Sequence, residues 1–148
     1  MSIVGAVVSS NQITLIEGEV NQDGTVTLLK DEVFDLEKGD RHIAYISIRD
    51  RIHDRLLHGV DKVVLKASSG GRFTGTQAAL LSAELRGVFI AAVPRSVTLM
   101  QEHAKTLSKA GSRKISEYIK DEAWWNQKFS GKIRKTNREA AYLILSAE

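Results

Sequence analysis

The spacing of apolar residues at the start of the chain predicts three short β-strands. The runs Ile3–Val8 and Ile13–Ile16 are apolar and partly β-branched, and a polar turn over residues 9–11 separates them. Residues 21–24 supply a hairpin turn, because their Asp-Gly pair readily adopts positive φ, and Thr25–Leu29 returns as the third strand. We therefore expect an antiparallel meander at this end of the chain.

A helical spacing begins at Asp40, after a polar stretch over residues 30–40. Asp40 can cap this helix and Gly59 can end it. The apolar residues predicted to share its buried face are Ile43, Ile46, Ile52, Leu56 and Leu57, and those predicted to lie outside are Arg49, Asp50, Arg51 and Asp54.

The rest of the chain predicts two more strands among helices. A buried strand at Val63–Leu65 leads through a glycine-rich loop into a helix from about Thr76 to Ala92, which Pro94 ends. Residues 96–100 predict a fifth strand. The remainder has a helical pattern, broken at Gly111 and Gly131, whose last helix covers residues 137–147. This order predicts an α/β fold with a mixed five-stranded sheet and helices on both faces.

Composition narrows the class of protein without naming a function. At 148 residues, with 43% hydrophobic and 26% charged residues and no internal repeat, we expect one globular domain spanning residues 1–148. The absence of cysteine, of a long apolar run and of a signal-like start favours a cytoplasmic protein. Residues 1–103 hold 11 Lys/Arg against 13 Asp/Glu, whereas residues 104–148 hold 10 against 5. The last third is therefore basic.

Four segments resemble RuvC-type Holliday-junction resolvases, which have the ribonuclease H-like fold. Residues 3–7 are similar to their first strand, residues 63–66 to their fourth, residues 83–88 to the helix that follows, and residues 137–143 to their last helix. The chain also resembles a small bacterial family of this fold whose fourth strand ends in lysine. The resemblance implies a ribonuclease H-like domain and a homodimer.

The resemblance also implies that the nuclease centre is missing. The positions where resolvases carry metal-binding carboxylates read Val7, Lys66, Asn137 and Ala140 in this chain. Two Mg²⁺ ions need hard oxygen ligands, which valine and alanine lack, and a lysine places a positive charge where a cation would sit. We therefore expect no catalytic residue, no metal and no cofactor.

A phosphate or another anion could bind where the fourth strand meets the glycine-rich loop. Lys66 supplies a cation, and the loop offers backbone N–H groups, hydroxyls and a guanidinium before a helix. The residues predicted to bind the anion are Lys66, Ser68, Ser69, Gly70, Gly71, Arg72 and Thr74. Two alternatives remain: the loop binds nothing, and Lys66 reaches solvent or pairs with a carboxylate. A catalytic Lys66 with a lowered pKa is a further alternative.

The basic C-terminal third is the second candidate site. Its cations interleave with Trp124, Trp125 and Phe129, a pattern typical of nucleic-acid binding through phosphate contacts and base stacking. The residues predicted to bind nucleic acid are Arg113, Lys114, Lys128, Lys132, Arg134 and Lys135, with Arg138 beside them. The same residues are also consistent with a solvated helical surface, or with a protein-interaction adaptor anchored by an exposed tryptophan. One tryptophan is expected in the core and one partly exposed.

The remaining polar residues suggest no site. The histidines at positions 42, 53, 58 and 103 do not have metal-ligand spacing, and Glu17, Glu19 and Asp23 are expected to face solvent.

Overall fold

A computed structural model describes residues 1–67, 75–103 and 113–147 of the chain. The strands are β1 (Ser2–Val8), β2 (Gln12–Val20), β3 (Val26–Asp35), β4 (Lys62–Lys66), β5 (Thr98–Glu102) and β6 (Phe129–Ser130). The helices are α1 (Arg41–Leu57), α2 (Gln77–Ala92), α3 (Ile115–Lys120), α4 (Glu122–Lys128) and α5 (Arg138–Leu143), with 3₁₀ turns at Lys135–Asn137 and Ile144–Ala147.

The strands form one mixed sheet in the order β5-β4-β1-β2-β3-β6. β1 lies in the middle, antiparallel to β2 and parallel to β4, and β4 is parallel to β5. The predicted α/β class and element order are confirmed. The number of strands is six, because the two-residue β6 pairs in parallel with the start of β3. A strand of two residues has too few positions to show an alternating pattern.

Helices cover both faces of the sheet, and each face has its own apolar core. Ile48 and Ile52 of α1 and Leu85 and Phe89 of α2 pack on one face. The other face is covered by α3–α5 and the last 3₁₀ turn. Its buried residues include Ile3, Ile16, Val64, Trp125, Phe129 and residues 140–144.

The predicted buried face of α1 is confirmed at Ile52 and Leu56 and is wrong at its other three positions. Ala44, Ile48, Ile52 and Leu56 are buried, whereas Ile43, Ile46 and Leu57 are among the exposed large hydrophobic residues. The buried residues are spaced by four without interruption by a charged residue. The face that contains Ile43 also contains Asp50 and Asp54, which favour solvent. The predicted ends are confirmed: the Asp40 carboxylate accepts a hydrogen bond from the His42 backbone N–H, and the helix stops just before Gly59, which has a φ of 79°.

Three further expectations differ from the structure. β3 continues beyond the predicted strand through Lys30–Asp35, part of the polar stretch, because that segment pairs with β2 along its whole length. The fifth strand covers Thr98–Glu102 instead of residues 96–100. The C-terminal region contains β6 and 3₁₀ turns between its short helices, so it is not uniformly helical.

Glu17 is a fourth difference, because it is buried instead of facing solvent. Its side chain accepts a hydrogen bond from Ser2 Oγ and forms an ion pair with Arg55 at 2.6 Å. Burial alone would raise the pKa of Glu17, but the hydrogen bonds from Ser2 and Arg55 outweigh it and hold the pKa below the ordinary value. Glu19 and Asp23 are exposed, as expected.

No helix among residues 1–67, 75–103 and 113–147 is long and apolar enough to cross a membrane.

Candidate functional site

The carboxyl ends of β1 and β4 place two of the singled-out residues side by side. The parallel register pairs Ala6 with Leu65, so Val7 and Lys66 follow on neighbouring strands. Val7 packs partly buried against the core under α5, and Lys66, the last residue of β4, is half-buried beside it. Strand ends of this kind are where α/β proteins commonly bind ligands.

Lys66 forms an ion pair with Glu139, in the first turn of α5. Each of the two side chains is 35% exposed, so the contact remains open to water. This pairing agrees with the alternative in which Lys66 meets a carboxylate. Glu102 is the register partner of Lys66 on β5, so a second carboxylate-bearing residue lies at the same edge of the sheet.

A glycine in β1 lets α5 lie directly on the sheet. A Cβ added at Gly5 would overlap the carbonyl oxygen of Ala140 and come within 2.8 Å of its carbonyl carbon. Only a residue without a side chain therefore allows this approach. The contact fixes the start of α5, and with it the position of Glu139, relative to the end of β1.

Asn137 and Ala140 do not join Val7 and Lys66 through their side chains. Asn137 is buried and donates to Asp31 Oδ1 of β3 at 2.7 Å, while Ala140 is buried over Gly5. Asp31 also accepts from Arg134. Burial would raise the pKa of Asp31, but the hydrogen bonds from Arg134 and Asn137 hold it below the ordinary value. This cluster fastens the segment before α5 to β3.

Arg138 belongs to the protein interior, although the sequence suggested a place in the basic surface. It is 7% exposed and donates to the Ile119 carbonyl at 2.8 Å and to Glu122 at 2.9 Å. Its guanidinium lies 4.6 Å from the ring centre of Trp125. The Arg138 hydrogen bond, with help from Lys135, holds the pKa of Glu122 below its ordinary value.

Several of the predicted nucleic-acid-binding cations have carboxylate partners within the molecule. The pairs are Arg113 with Asp121 at 3.1 Å, Arg134 with Asp31 at 2.9 Å, and Lys135 with Glu122 at 3.3 Å. Hydrogen bonds from Thr25, with a smaller contribution from Lys128, hold the pKa of Asp23 below its ordinary value.

Lys114 and Lys132 are exposed and have no carboxylate partner within the described part of the chain. Among the residues predicted to bind nucleic acid, these two side chains are the most available to a ligand.

The two tryptophans differ in burial, as predicted. Trp125 is 4% exposed and stacks on Phe129 with ring centres 4.0 Å apart. Trp124 is partly exposed but packs against Tyr118, at 4.7 Å, and Tyr142, at 5.8 Å. Both rings pack within the aromatic core, so only the exposed part of Trp124 is accessible for the contacts that base stacking uses.

Part of the predicted anion site lies outside the described residues. This holds for Ser68, Ser69, Gly70, Gly71, Arg72 and Thr74, and for the predicted break at Gly111. The described chain resumes at residue 75, and the Thr76 side chain caps α2 by accepting a hydrogen bond from the Ala79 N–H at 3.2 Å. Within the described ranges, no group of three or more His, Asp or Glu side chains has the geometry of a metal site.

Glu139 is the site residue that the sequence interpretation missed. A half-buried lysine at a strand end needs an anionic partner, and Glu139 is the single Asp or Glu in residues 123–147. That scarcity was a usable signal, but only with the knowledge that the last helix packs over β1.

The central β1, parallel to β4 and covered by a C-terminal helix, defines the ribonuclease H-like architecture. Among solved structures, Thermus thermophilus RuvC matches with a TM-score of 0.77 and 15% identity over 99% of this chain and 92% of that one. T. thermophilus RuvC in complex with a Holliday junction substrate matches with a TM-score of 0.73 and 14% identity, with the same coverage.

A third match is the yeast mitochondrial Holliday junction resolvase, with a TM-score of 0.64 and 12% identity over 97% of this chain and 77% of that one. No protein-family model matches the chain, and no curated protein sequence matches it significantly. At these identities the comparisons establish the fold, which is that of the RuvC-type resolvases, as the sequence predicted.

Proposed function

We propose that this chain is a non-catalytic ribonuclease H-like domain that binds nucleic acid at the carboxyl ends of β1 and β4. The observation that carries the proposal is Lys66, a partly exposed cation at the strand edge where α/β folds place their ligands. A similar structure is described in complex with a Holliday junction substrate, which supports a nucleic acid as the ligand.

The chemistry at this edge favours binding over metal-dependent cleavage. A lysine ammonium beside an apolar Val7 attracts a phosphate and repels a divalent cation. Lys114 and Lys132 add charge on the same chain, and the loop over residues 68–74 remains part of the predicted site. The proposed compartment is the bacterial cytoplasm, on the basis of the cysteine-free composition and the resemblance.

Fluorescence anisotropy with labelled single-stranded, duplex and four-way-junction DNA and RNA tests the proposal. We expect binding without cleavage, with or without Mg²⁺, and an affinity that falls steeply with salt because phosphate contacts release counterions. Lys66→Gln and the pair Lys114→Glu with Lys132→Glu should each weaken binding several-fold, on the order of one lost phosphate contact per charge.

Arg95→Gln is the matched control for Lys66→Gln. Arg95 is exposed in the connection between α2 and β5, at the amino-terminal end of the strand, whereas Lys66 lies at the carboxyl end of β4. The same loss of charge there should leave affinity nearly unchanged. Mg²⁺-dependent cleavage would contradict the non-catalytic assignment. Absence of binding to every nucleic acid at low salt would contradict the proposal itself.

We further propose that the chain forms a homodimer through the outer face of α2. Leu80 is 56% exposed and Ile90 37% exposed on this face, and the small residues Ala83 and Gly87 lie between them. A Cβ built at Gly87 meets no atom within 4 Å, so a second helix could approach closely. Leu80 and Ile90 lie at equal spacing on either side of Leu85. Two antiparallel copies would therefore place Leu80 against Ile90 of the partner subunit.

Sedimentation velocity over a range of protein concentrations tests the dimer. Leu80→Asp should shift the protein to monomer, whereas Leu57→Asp, at an exposed apolar position on α1, should leave the association unchanged. A wild-type protein that stays monomeric at high concentration would contradict the dimer. It would favour the adaptor, in which the same apolar face receives a different protein.

A further inference from the structure

We propose that Glu139 is a displaceable counter-ion that sets the affinity of Lys66 for a phosphodiester. This inference rests on the proposed function, because it concerns the same strand edge. Its observation is separate: the Lys66 ammonium meets the Glu139 carboxylate directly, in a contact whose two side chains are equally exposed. A phosphate that binds Lys66 must replace this carboxylate.

Both partners of this ion pair extend from anchored backbone. Glu139 extends from a helix whose next residue, Ala140, lies against Gly5, and whose preceding residue, Arg138, is buried between Glu122 and Trp125. Lys66 has a flexible stem with four rotatable bonds at the end of a strand. Opening the pair therefore requires only side-chain rotation and leaves α5 in place.

The exchange costs little, because both groups reach water before and after it. Exposed ion pairs are weak, so loss of this one changes an equilibrium by about two- to fivefold. In the wild-type protein, the affinity of Lys66 for phosphate is lower by that factor. Several phosphates bound at once overcome it more readily than an isolated phosphate, so the pair favours a polyanionic strand over a free anion.

A double-mutant cycle on nucleic-acid affinity tests this role. Glu139→Gln should raise affinity about two- to fivefold in the wild-type background, and by less in a Lys66→Gln background, because there the carboxylate has no lysine to occupy. Glu139→Asp keeps the charge but shortens the reach, and should also raise affinity. If Glu139 acted only by general repulsion, Glu139→Gln would raise affinity equally whether residue 66 is lysine or glutamine, and Glu139→Asp would bind like the wild type. That result would contradict the inference.

Glu102→Gln is the matched control for this cycle. Glu102 lies on the neighbouring strand at the same edge, and its carboxylate forms no ion pair with Lys66 among the described contacts. Its removal should raise affinity equally whether residue 66 is lysine or glutamine. Coupling between Glu102 and Lys66 as large as that of Glu139 would contradict the specific role of Glu139.

Inorganic phosphate separates this inference from the proposed function. With ¹⁵N-labelled lysine, the side-chain NMR signal of Lys66 should shift at about two- to fivefold lower phosphate concentration in Glu139→Gln than in the wild type. This result would stand even if no nucleic acid bound, in which case the proposed function alone would fail. Equal titrations in the two proteins, or a Lys66 signal that does not respond in either, would overturn the inference.

Discussion

At the scale of single residues, the most consequential polar group is Glu17 in β2. Arg55 of α1 bridges it to Glu32 of β3, with distances of 2.6 Å to Glu17 and 2.5 Å to Glu32, and Ser2 of β1 donates to it from the other side. One guanidinium thereby ties α1 to two strands. The side chains of Arg55 and Glu17 are 15% and 11% exposed, so water screens this pair only weakly.

We expect Glu17→Gln to destabilise the protein by about 2 kcal/mol at neutral pH. Loss of a buried ion-pair partner usually costs more, but Arg55 keeps Glu32 as a second partner. Urea unfolding measures the change in the free energy of unfolding, with Glu19→Gln as the control, since Glu19 is exposed on the same strand.

The pH dependence of the same variant follows from the lowered pKa of Glu17. A carboxyl with a depressed folded pKa contributes stability that is present above its unfolded pKa, about 4.3, and is lost as the pH falls through the folded pKa. The difference between wild type and Glu17→Gln should therefore shrink below about pH 4. A difference that stayed constant down to acid unfolding would show that the charge of Glu17 is not the cause.

At the scale of elements, the contact between α5 and β1 determines the candidate site. It depends on Gly5, because the backbone of Ala140 occupies the space that any side chain there would need. The same helix carries Glu139 to Lys66 and contributes Ala141, Tyr142 and Leu143 to the core. The architecture of the site and the stability of this face therefore depend on one close approach.

Gly5→Ala should destabilise the protein by about 1–3 kcal/mol, because the atom that the new methyl group meets belongs to the backbone and cannot rotate away. Urea unfolding provides the measurement. The control is Gly87→Ala in α2, where the added Cβ meets open space. At a concentration where the protein is monomeric, that change should be neutral or stabilise by up to about 1 kcal/mol. If both substitutions were neutral, the close packing of α5 on β1 would be incorrect.

At the scale of the whole molecule, the element order could be predicted from sequence because β1, β2 and β4 each contain a compact apolar run next to turn residues. β1 and β4 are buried on both faces, so their residues show little polar interruption. The buried face of α1 could not be assigned as reliably, because the exposed Ile43 and Ile46 are more apolar than Ala44, the buried residue that lies between them. Ala44 begins the buried face, but its small side chain adds little to the hydrophobic pattern.

Contacts between distant parts of the chain account for the rest of what the sequence did not reveal. Glu17 is buried because Arg55 reaches it from α1, and Glu139 matters because α5 returns to the middle of the sheet. From their sequence alone, the basic C-terminal residues were predicted to be available to a nucleic acid, yet Arg134 is paired with Asp31 of β3. A linear charge count has no means of assigning such partners.

The central position of β1 has a consequence for how the protein is made on the ribosome. β1 is synthesised before α5, yet α5 covers one of its faces. In the turn that follows α5, the carbonyl of Ala147 accepts a hydrogen bond from Lys62 of β4 at 2.9 Å. Half of the core therefore cannot close until these late residues have been synthesised. During that interval, nascent chains expose the apolar residues Ile3, Ile16 and Val64, which are suitable binding sites for a chaperone.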